Sequence, residues 1–254
     1  MAGNRQGRAT RRAVVLAGGK GTRLAPYTLV FPKPLMPIGD MPILEVVLRQ
    51  LARLGFAEVI LAVGHFSQLI EAYFGGGESV GVDLVYVRED EPLGTAGPLA
   101  LVPDLDEPFL VMNGDVLTTL NYAAFLADHV RSGAVGSIST HMRSNRVDFG
   151  VVRAGDDGRV TGYIEKPCHE YLVSMGVYAF SPEVLEFIPR GRRLDFPDLV
   201  LRLLAAGRIV RSVPYRGYWL DIGRHDDLAC AQEEFAIRRE QFLTGDDNNA
   251  EEEP

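Results

Sequence analysis

Ala13–Ala17 is an unbroken apolar run, rich in β-branched residues, that stops at Gly18 and Gly19. A strand with one wet face alternates apolar and polar positions. A strand that is apolar throughout is covered on both faces, as inside a parallel sheet flanked by helices. The run therefore predicts a buried parallel strand feeding a glycine loop. Downstream, Pro42 opens a helix whose apolar Ile43, Val47, Leu48, Leu51 and Leu54 recur at three- and four-residue steps until Gly55. Glu58–Val63 reads as a buried strand and Phe66–Phe74 as a helix closed by Gly75, Gly76 and Gly77. Val82–Val87 reads as a strand, Pro98–Leu101 as a helical turn and Phe109–Asn113 as a further buried strand. Strand and helix alternating at this spacing predict an α/β fold with a doubly wound, Rossmann-like, mostly parallel mixed sheet.

From Gly133 the pattern changes. Val135–Thr140, Gly150–Val152, Val160–Glu165 and Ser174–Phe180 are expected as short strands, with Asp156-Asp157-Gly158 a hairpin turn. Helical patterns return at Pro182–Ile188, Phe196–Ala206 and Arg224–Arg239. The expectation is one domain over residues 12–240 with an antiparallel second half, and disordered tails at 1–11 and 244–254. The 254 residues, 46% hydrophobic and 24% charged, are enough for one sizeable core. The formal net charge is −8, and the tails nearly cancel each other: Arg5, Arg8, Arg11 and Arg12 against Asp246, Asp247, Glu251, Glu252 and Glu253. An acidic body argues against general nucleic-acid binding, so any polyphosphate pocket must gather its few cations locally. Cys168 and Cys230, far apart and in no CxxC spacing, imply neither a disulfide framework nor a zinc site. A reducing cytoplasm is the natural compartment. The apolar run after the N-terminal arginines is too short for a signal-peptide core or a membrane span.

Leu16-Ala17-Gly18-Gly19-Lys20-Gly21-Thr22-Arg23-Leu24 is the most informative segment. Glycines let backbone N–H groups approach a ligand, and Lys20 and Arg23 bring positive charge, so the loop suits a triphosphate. A tight turn with incidental surface charge uses the same residues. The segment is not a P-loop, since Gly21 follows Lys20, and a dinucleotide-dependent oxidoreductase fails on Leu24 at the third glycine position. In Phe31-Pro32-Lys33-Pro34, prolines on both sides pre-set the backbone, so Lys33 has little freedom to lose on meeting a phosphate. A solvated lysine in a proline-rich loop is the plain alternative. The five histidines show no paired ligand spacing and are expected at the surface or at helix caps, and no Gly-x-Ser-x-Gly elbow of a hydrolase occurs.

Together the glycine loop and Pro32-Lys33-Pro34 resemble the signature of the sugar-1-phosphate nucleotidyltransferase family, and further landmarks follow in order over residues 12–240. Glu91-Pro92-Leu93-Gly94-Thr95-Ala96-Gly97-Pro98-Leu99 resembles the loop beside the base, and Asn113-Gly114-Asp115 the first metal-binding segment. Phe149-Gly150-Val151, Glu165-Lys166-Pro167 and Met175-Gly176-Val177-Tyr178 resemble the sugar-phosphate segments, and Tyr218-Trp219-Leu220-Asp221-Ile222-Gly223 the second metal-binding one. The resemblance implies a nucleotide held by Leu16, Gly18, Gly19, Gly21, Thr22, Arg23, Gly94 and Thr95. It implies a sugar phosphate held by Gly150, Glu165, Lys166 and Gly176, with Lys33 near the attacked phosphorus. It also implies Mg²⁺ on Asp115 and Asp221, where the residues alone leave open a turn aspartate and a helix N-terminal aspartate.

The implied reaction is attack by a sugar-phosphate oxygen on the α-phosphorus of a nucleoside triphosphate, with pyrophosphate leaving in line. Two polyanions must meet, so catalysis is positioning plus charge neutralisation by Arg23, Lys33, Asp115, Lys166 and Asp221, and no general base is needed. Mg²⁺ keeps several waters and needs only one or two aspartates besides phosphate oxygens. Ala25 stands where many relatives carry arginine, and the chain ends before the C-terminal β-helix of several guanylyltransferases, as a catalytic core would. Within the family, the Leu93–Leu99 loop is closest to guanylyltransferases acting on mannose 1-phosphate and lacks the glutamine segment of thymidylyltransferases. GTP and mannose 1-phosphate are therefore the expected partners, with another base, another sugar or a cyclitol phosphate as alternatives. The rival class is a non-catalytic subunit sensing nucleotide sugars, and a homo-oligomer is open to either.

Overall fold

The computed structural model describes residues 11–19 and 21–244. The expectations for Lys20 and for the tails at 1–10 and 245–254 lie outside the described residues. The first apolar run forms β1 (Arg11–Leu16), and a tiny hairpin, β2 (Pro37–Ile38) with β3 (Met41–Pro42), leads into α1 (Ile43–Arg53). Then come β4 (Phe56–Val63), α2 (Ser67–Phe74), β5 (Asp83–Arg88), β6 (Phe109–Asn113), β7 (Val116–Thr118) and α3 (Tyr122–Ser132). The second half holds β8 (Gly136–Arg146), β9 (Val151–Ala154), β10 (Val160–Ile164) and β11 (Cys168–Phe180). It closes with α4 (Phe196–Ala205), β12 (Val210–Tyr215), β13 (Trp219–Asp221) and α5 (His225–Leu243).

Seven strands make the central sheet in the order β12-β8-β11-β6-β1-β4-β5, and β11 alone runs against its neighbours. The mostly parallel α/β sheet read from the apolar runs is thus present. Each central strand serves two cores by alternation. Ala13 and Val15 of β1 face the core shared with α1, α2 and α3, while Val14 faces the core shared with α4. In β4, Val59, Leu61 and Val63 repeat the first pattern, and Ile60 and Ala62 the second. A third core forms where Phe235 and Phe242 of α5 meet Ile38, Ile43, Leu117 and Ile222.

Two local expectations are corrected and one open alternative is closed. β8 and β11 are not short strands but arms of 11 and 13 residues. Their inner halves are buried in the sheet, while Met142–Arg146 pairs with Cys168–Leu172 beyond it, exposed on its faces, so no apolar pattern marks the extension. Helix α3 lies where no helix is read. It is capped at Asn121, whose side chain accepts the Ala124 N–H at 2.9 Å, and buries Tyr122, Phe125, Leu126 and His129. Asp221 is not a helix N-terminal residue but the last residue of β13, paired with β7. The Asp157-Gly158 turn does join β9 to β10 as an antiparallel pair.

Candidate active site

In a parallel sheet, ligands bind beyond the carboxyl ends of the strands. Here β1, β4, β5 and β6 end side by side, and the chain leaves them at Ala17, Gly64, Glu89 and Gly114. The Gly114 N–H donates to Leu16 O at 2.9 Å, holding the Asn113-Gly114-Asp115 turn against the start of the glycine loop. Above this edge opens a cavity of about 840 Å³, within the range of small-molecule sites. Among the residues expected to hold a nucleotide, Leu16, Gly18, Gly19, Gly94 and Thr95 line it, together with Lys33 and Asp115.

Asp115 and Asp221 are neighbours because β7 and β13 pair: Asp221 lies opposite Val116, and the Ile222 N–H donates to Asp115 O at 3.1 Å. Burial, then the charge of Asp115, pushes the Asp221 carboxyl above its ordinary pKa, and the charges of Lys33 and Arg23 oppose that rise. Asp115 and Lys33 thus stand on the cavity wall with Asp221 beside them, while Arg23, whose charge is felt at Asp221, does not line the cavity. The Lys33 ammonium contacts the Asp115 carboxylate, and with 9% of its surface exposed it is a buried lysine rather than a solvated one. Arg23 follows Gly21 and Thr22 in a 3₁₀ turn, and its guanidinium passes so close to Gly223 that a Cβ there would lie 3.2 Å away. The turn after Asp221 is closed by Asp227 of α5, whose carboxylate accepts the Gly223 and Arg224 N–H groups at 3.1 and 2.7 Å.

Two crowded carboxylates with a hard-oxygen donor set suit Mg²⁺, which needs few protein ligands. Among the described residues no cluster of three or more His, Cys, Asp or Glu is placed to hold a metal. Asp115, just before β7, and Asp221, at the end of β13, offer two neighbouring carboxylates, short of such a cluster.

The residues expected to hold the sugar phosphate are less gathered. Gly176 sits at a break in the β8–β11 register with its backbone against Asn113, where an added Cβ would come within 2.7 Å of the amide nitrogen. Gly150 and Glu165 meet through Tyr163, whose ring covers Gly150 and whose hydroxyl donates to Glu165 Oε2 at 3.3 Å. Glu165 and Lys166 are exposed on the antiparallel arm and line no part of the cavity. Lys166 has φ +43°, a left-handed conformation that a lysine adopts at a cost and that often marks a functional position.

Glu89 belongs to none of the sequence motifs. It lines the cavity two residues before the quoted base loop, and burial pushes its carboxyl above the ordinary range against the opposing Leu93 N–H. Its Oε2 accepts that N–H at 2.7 Å, while Oε1 faces Gly18, 2.8 Å from where a Cβ would stand. Its position directly after β5, at the carboxyl edge, was the available signal. The histidines also depart from expectation. His129 is buried between the Ser137 and Ser181 hydroxyls, at 2.9 and 3.2 Å, where α3 packs on β8 and β11, and burial lowers its pKa. His65 lines the cavity.

Comparison with known proteins follows the same line. The sequence model of the nucleotidyl transferase family matches residues 12–237. A UTP–glucose-1-phosphate uridylyltransferase of Synechocystis sp. is 34% identical over 236 residues, covering 85% of this chain and 61% of that protein. A mannose-1-phosphate guanylyltransferase catalytic subunit beta of Drosophila pseudoobscura pseudoobscura is 36% identical over 225 residues, covering 85% and 60%. The chain therefore spans about three fifths of the length of these curated relatives. HddC of Yersinia pseudotuberculosis, solved in complex with GMP-PN, superposes with a TM-score of 0.69 at 25% identity, covering 89% of this chain and 100% of that one. Since that family model spans nearly all of the described residues, the chain belongs to the nucleotidyl transferases.

Proposed function

We propose that this protein joins a sugar 1-phosphate to a nucleoside triphosphate, forming a nucleotide sugar and releasing pyrophosphate. The observation that carries this reading is the contact of Lys33 with Asp115 on the cavity wall, with Asp221 brought beside them by the β7–β13 pair. A sugar-phosphate oxygen forms the new bond to the α-phosphorus as the bond to the β-phosphate oxygen breaks, and the electron pair leaves with pyrophosphate. Asp115 and Asp221 would hold Mg²⁺, which when bound supplies charge neutralisation and polarises the phosphoryl oxygens. Arg23 and the backbone after Leu16 steady the triphosphate, Lys33 stands beside the reacting phosphates, and Lys166 with Glu165, Gly150 and Gly176 receives the sugar phosphate. The attacking phosphate is already ionised at neutral pH, so no proton is removed in the step. A subunit that only sensed nucleotide sugars is expected to have lost some of these groups, and Arg23, Lys33, Asp115, Lys166 and Asp221 are all present.

GTP with mannose 1-phosphate is the pair we favour. Glu89 lines the cavity, and its Oε1, set toward Gly18 with no hydrogen-bond partner among the described residues, is an acceptor only when ionised. Guanine offers a ring N–H and an amino group on one edge, which a carboxylate receives. Uracil and thymine offer one N–H between two carbonyls, and a carboxylate set there opposes two acceptors. The Drosophila relative is named for mannose 1-phosphate and guanylyl transfer and supports this choice, whereas the Synechocystis relative, named for UTP and glucose 1-phosphate, supports the second reading. Pyrophosphate release across a grid of triphosphates and sugar 1-phosphates with Mg²⁺ decides between them. A higher kcat/KM with UTP, TTP, ATP or CTP than with GTP, for every sugar phosphate, overturns the guanine choice and leaves the reaction class standing. Among the described residues no helix is long and apolar enough to cross a membrane.

A further inference from the structure

Asp195 stands at the N-cap of α4, where an aspartate ordinarily accepts N–H groups of its own first turn. Its carboxylate makes no such bond. Instead Asp195 Oδ1 accepts the N–H of Thr95 at 2.9 Å, and Thr95 Oγ1 accepts the Phe196 N–H at 2.8 Å. The two residues have exchanged caps across 100 positions of sequence. Backbone bonds extend the exchange: Leu194 N–H to Leu93 O at 2.9 Å, and the Ala96 and Gly97 N–H groups to Leu194 O at 2.9 and 3.0 Å. The fit leaves no room for a side chain at Gly94, where φ is +81° and a Cβ would lie 2.6 Å from both Asp195 Oδ1 and Leu194 O.

The loop tied down in this way is a wall of the cavity, and its other end is held by Glu89 through the Leu93 N–H. A continuous path therefore runs from Asp195 through Thr95 and Leu93 to the carboxylate that faces Gly18. We propose that Asp195 is a positioning residue for the nucleoside triphosphate: by holding Thr95 it fixes the Leu93–Gly97 loop and, through it, the choice of base. The inference rests on the nucleotidyl-transfer reading and gives the second half of the chain a part in selecting the base.

The test uses whichever triphosphate the wild type turns over best, so an error in the guanine choice does not touch it. Asp195→Ala is expected to raise KM for that triphosphate by about tenfold or more and to narrow the preference over its nearest competitor, with KM for the sugar phosphate held within about twofold. Asp195→Asn keeps an oxygen acceptor for Thr95 and is expected to restore both values. If Asp195→Ala folds poorly, Thr95→Val removes the other half of the exchange, the Oγ1 that accepts the Phe196 N–H, while keeping the Thr95 N–H to Asp195, and is expected to show the same split, with Thr95→Ser restoring it. Calorimetric titration with the triphosphate in Mg²⁺ reads the same loss without turnover, which separates a failed latch from a failed transferase reading. A lowered melting temperature with unchanged triphosphate KM and affinity would reduce the exchange to a helix cap and overturn the proposal. So would an Asp195→Asn as impaired as the alanine variant, because the charge rather than the latch would then be acting.

Discussion

A half-buried carboxylate with one oxygen tied to a backbone amide and the other set against Gly18, as in Glu89, costs stability when ionised. Its folded-state pKa is raised, so the folded protein binds the proton more tightly than the unfolded chain, and this group's contribution to stability falls as pH rises from the unfolded value through the folded one. Glu89→Gln should accordingly melt higher than wild type at pH 7, with the gap closing toward pH 4, while GTP turnover drops. Thermal melts at the two pH values check the first part, and a gap that widens on acidification contradicts it. For the proposed metal ligands, Asp115→Asn and Asp221→Asn should each lower turnover by about 10²-fold or more, and Asp115→Asn should also cost stability because it leaves the buried Lys33 ammonium without its carboxylate. Near-normal turnover in both at saturating substrates would sink the assignment. Arg23→Ala should mainly impair triphosphate handling and Lys166→Ala sugar-phosphate handling, each by roughly 2–4 kcal/mol in the transition state. Michaelis constants for both substrates test this, and a reversed pattern means the two sites are exchanged. Lys33 and Asp115, which the structure brings into contact, could be singled out in sequence because each stands in a motif. Glu89 was not, because in sequence it is one acid of Glu89-Asp90-Glu91, and only the end of β5 and the Leu93 amide single it out.

At the scale of elements, the parallel half was readable because β1, β4 and β6 are apolar on both faces and are punctuated by glycine or a carboxyl-edge turn. The antiparallel arm was not, since the outer halves of β8 and β11 satisfy their backbones by pairing with each other and leave no burial pattern behind. The β7–β13 pair was equally hidden, because strands of three residues carry no period, yet it sets Asp115 beside Asp221. That pair is underpinned by α5. Phe235 stacks on Phe242 with ring centroids 6.0 Å apart, and both share a core with Ile222, the residue after Asp221. Phe235→Ala should therefore destabilise the fold by about 3–5 kcal/mol, measured by denaturant unfolding. A loss under about 1 kcal/mol, at the level of a tolerated surface change, would show that α5 is not the support described here.

For the molecule as a whole, the division of labour follows the sheet. The parallel half offers its carboxyl edge and glycine loop, and the second half returns Asp221 on β13, the α4 cap at Asp195 and the exposed Glu165-Lys166 turn. Two polyanions approaching from the two halves would meet between the paired carboxylates and Lys33. The most direct measurement is pyrophosphate release by the purified protein with GTP, mannose 1-phosphate and Mg²⁺, run beside Asp221→Asn and beside a chelated sample. The account predicts release in step with nucleotide-sugar formation, one for one, abolished by the chelator and cut by about 10²-fold or more in the variant. Absence of pyrophosphate release with every triphosphate and sugar phosphate in the grid, from a protein that is folded, would contradict it.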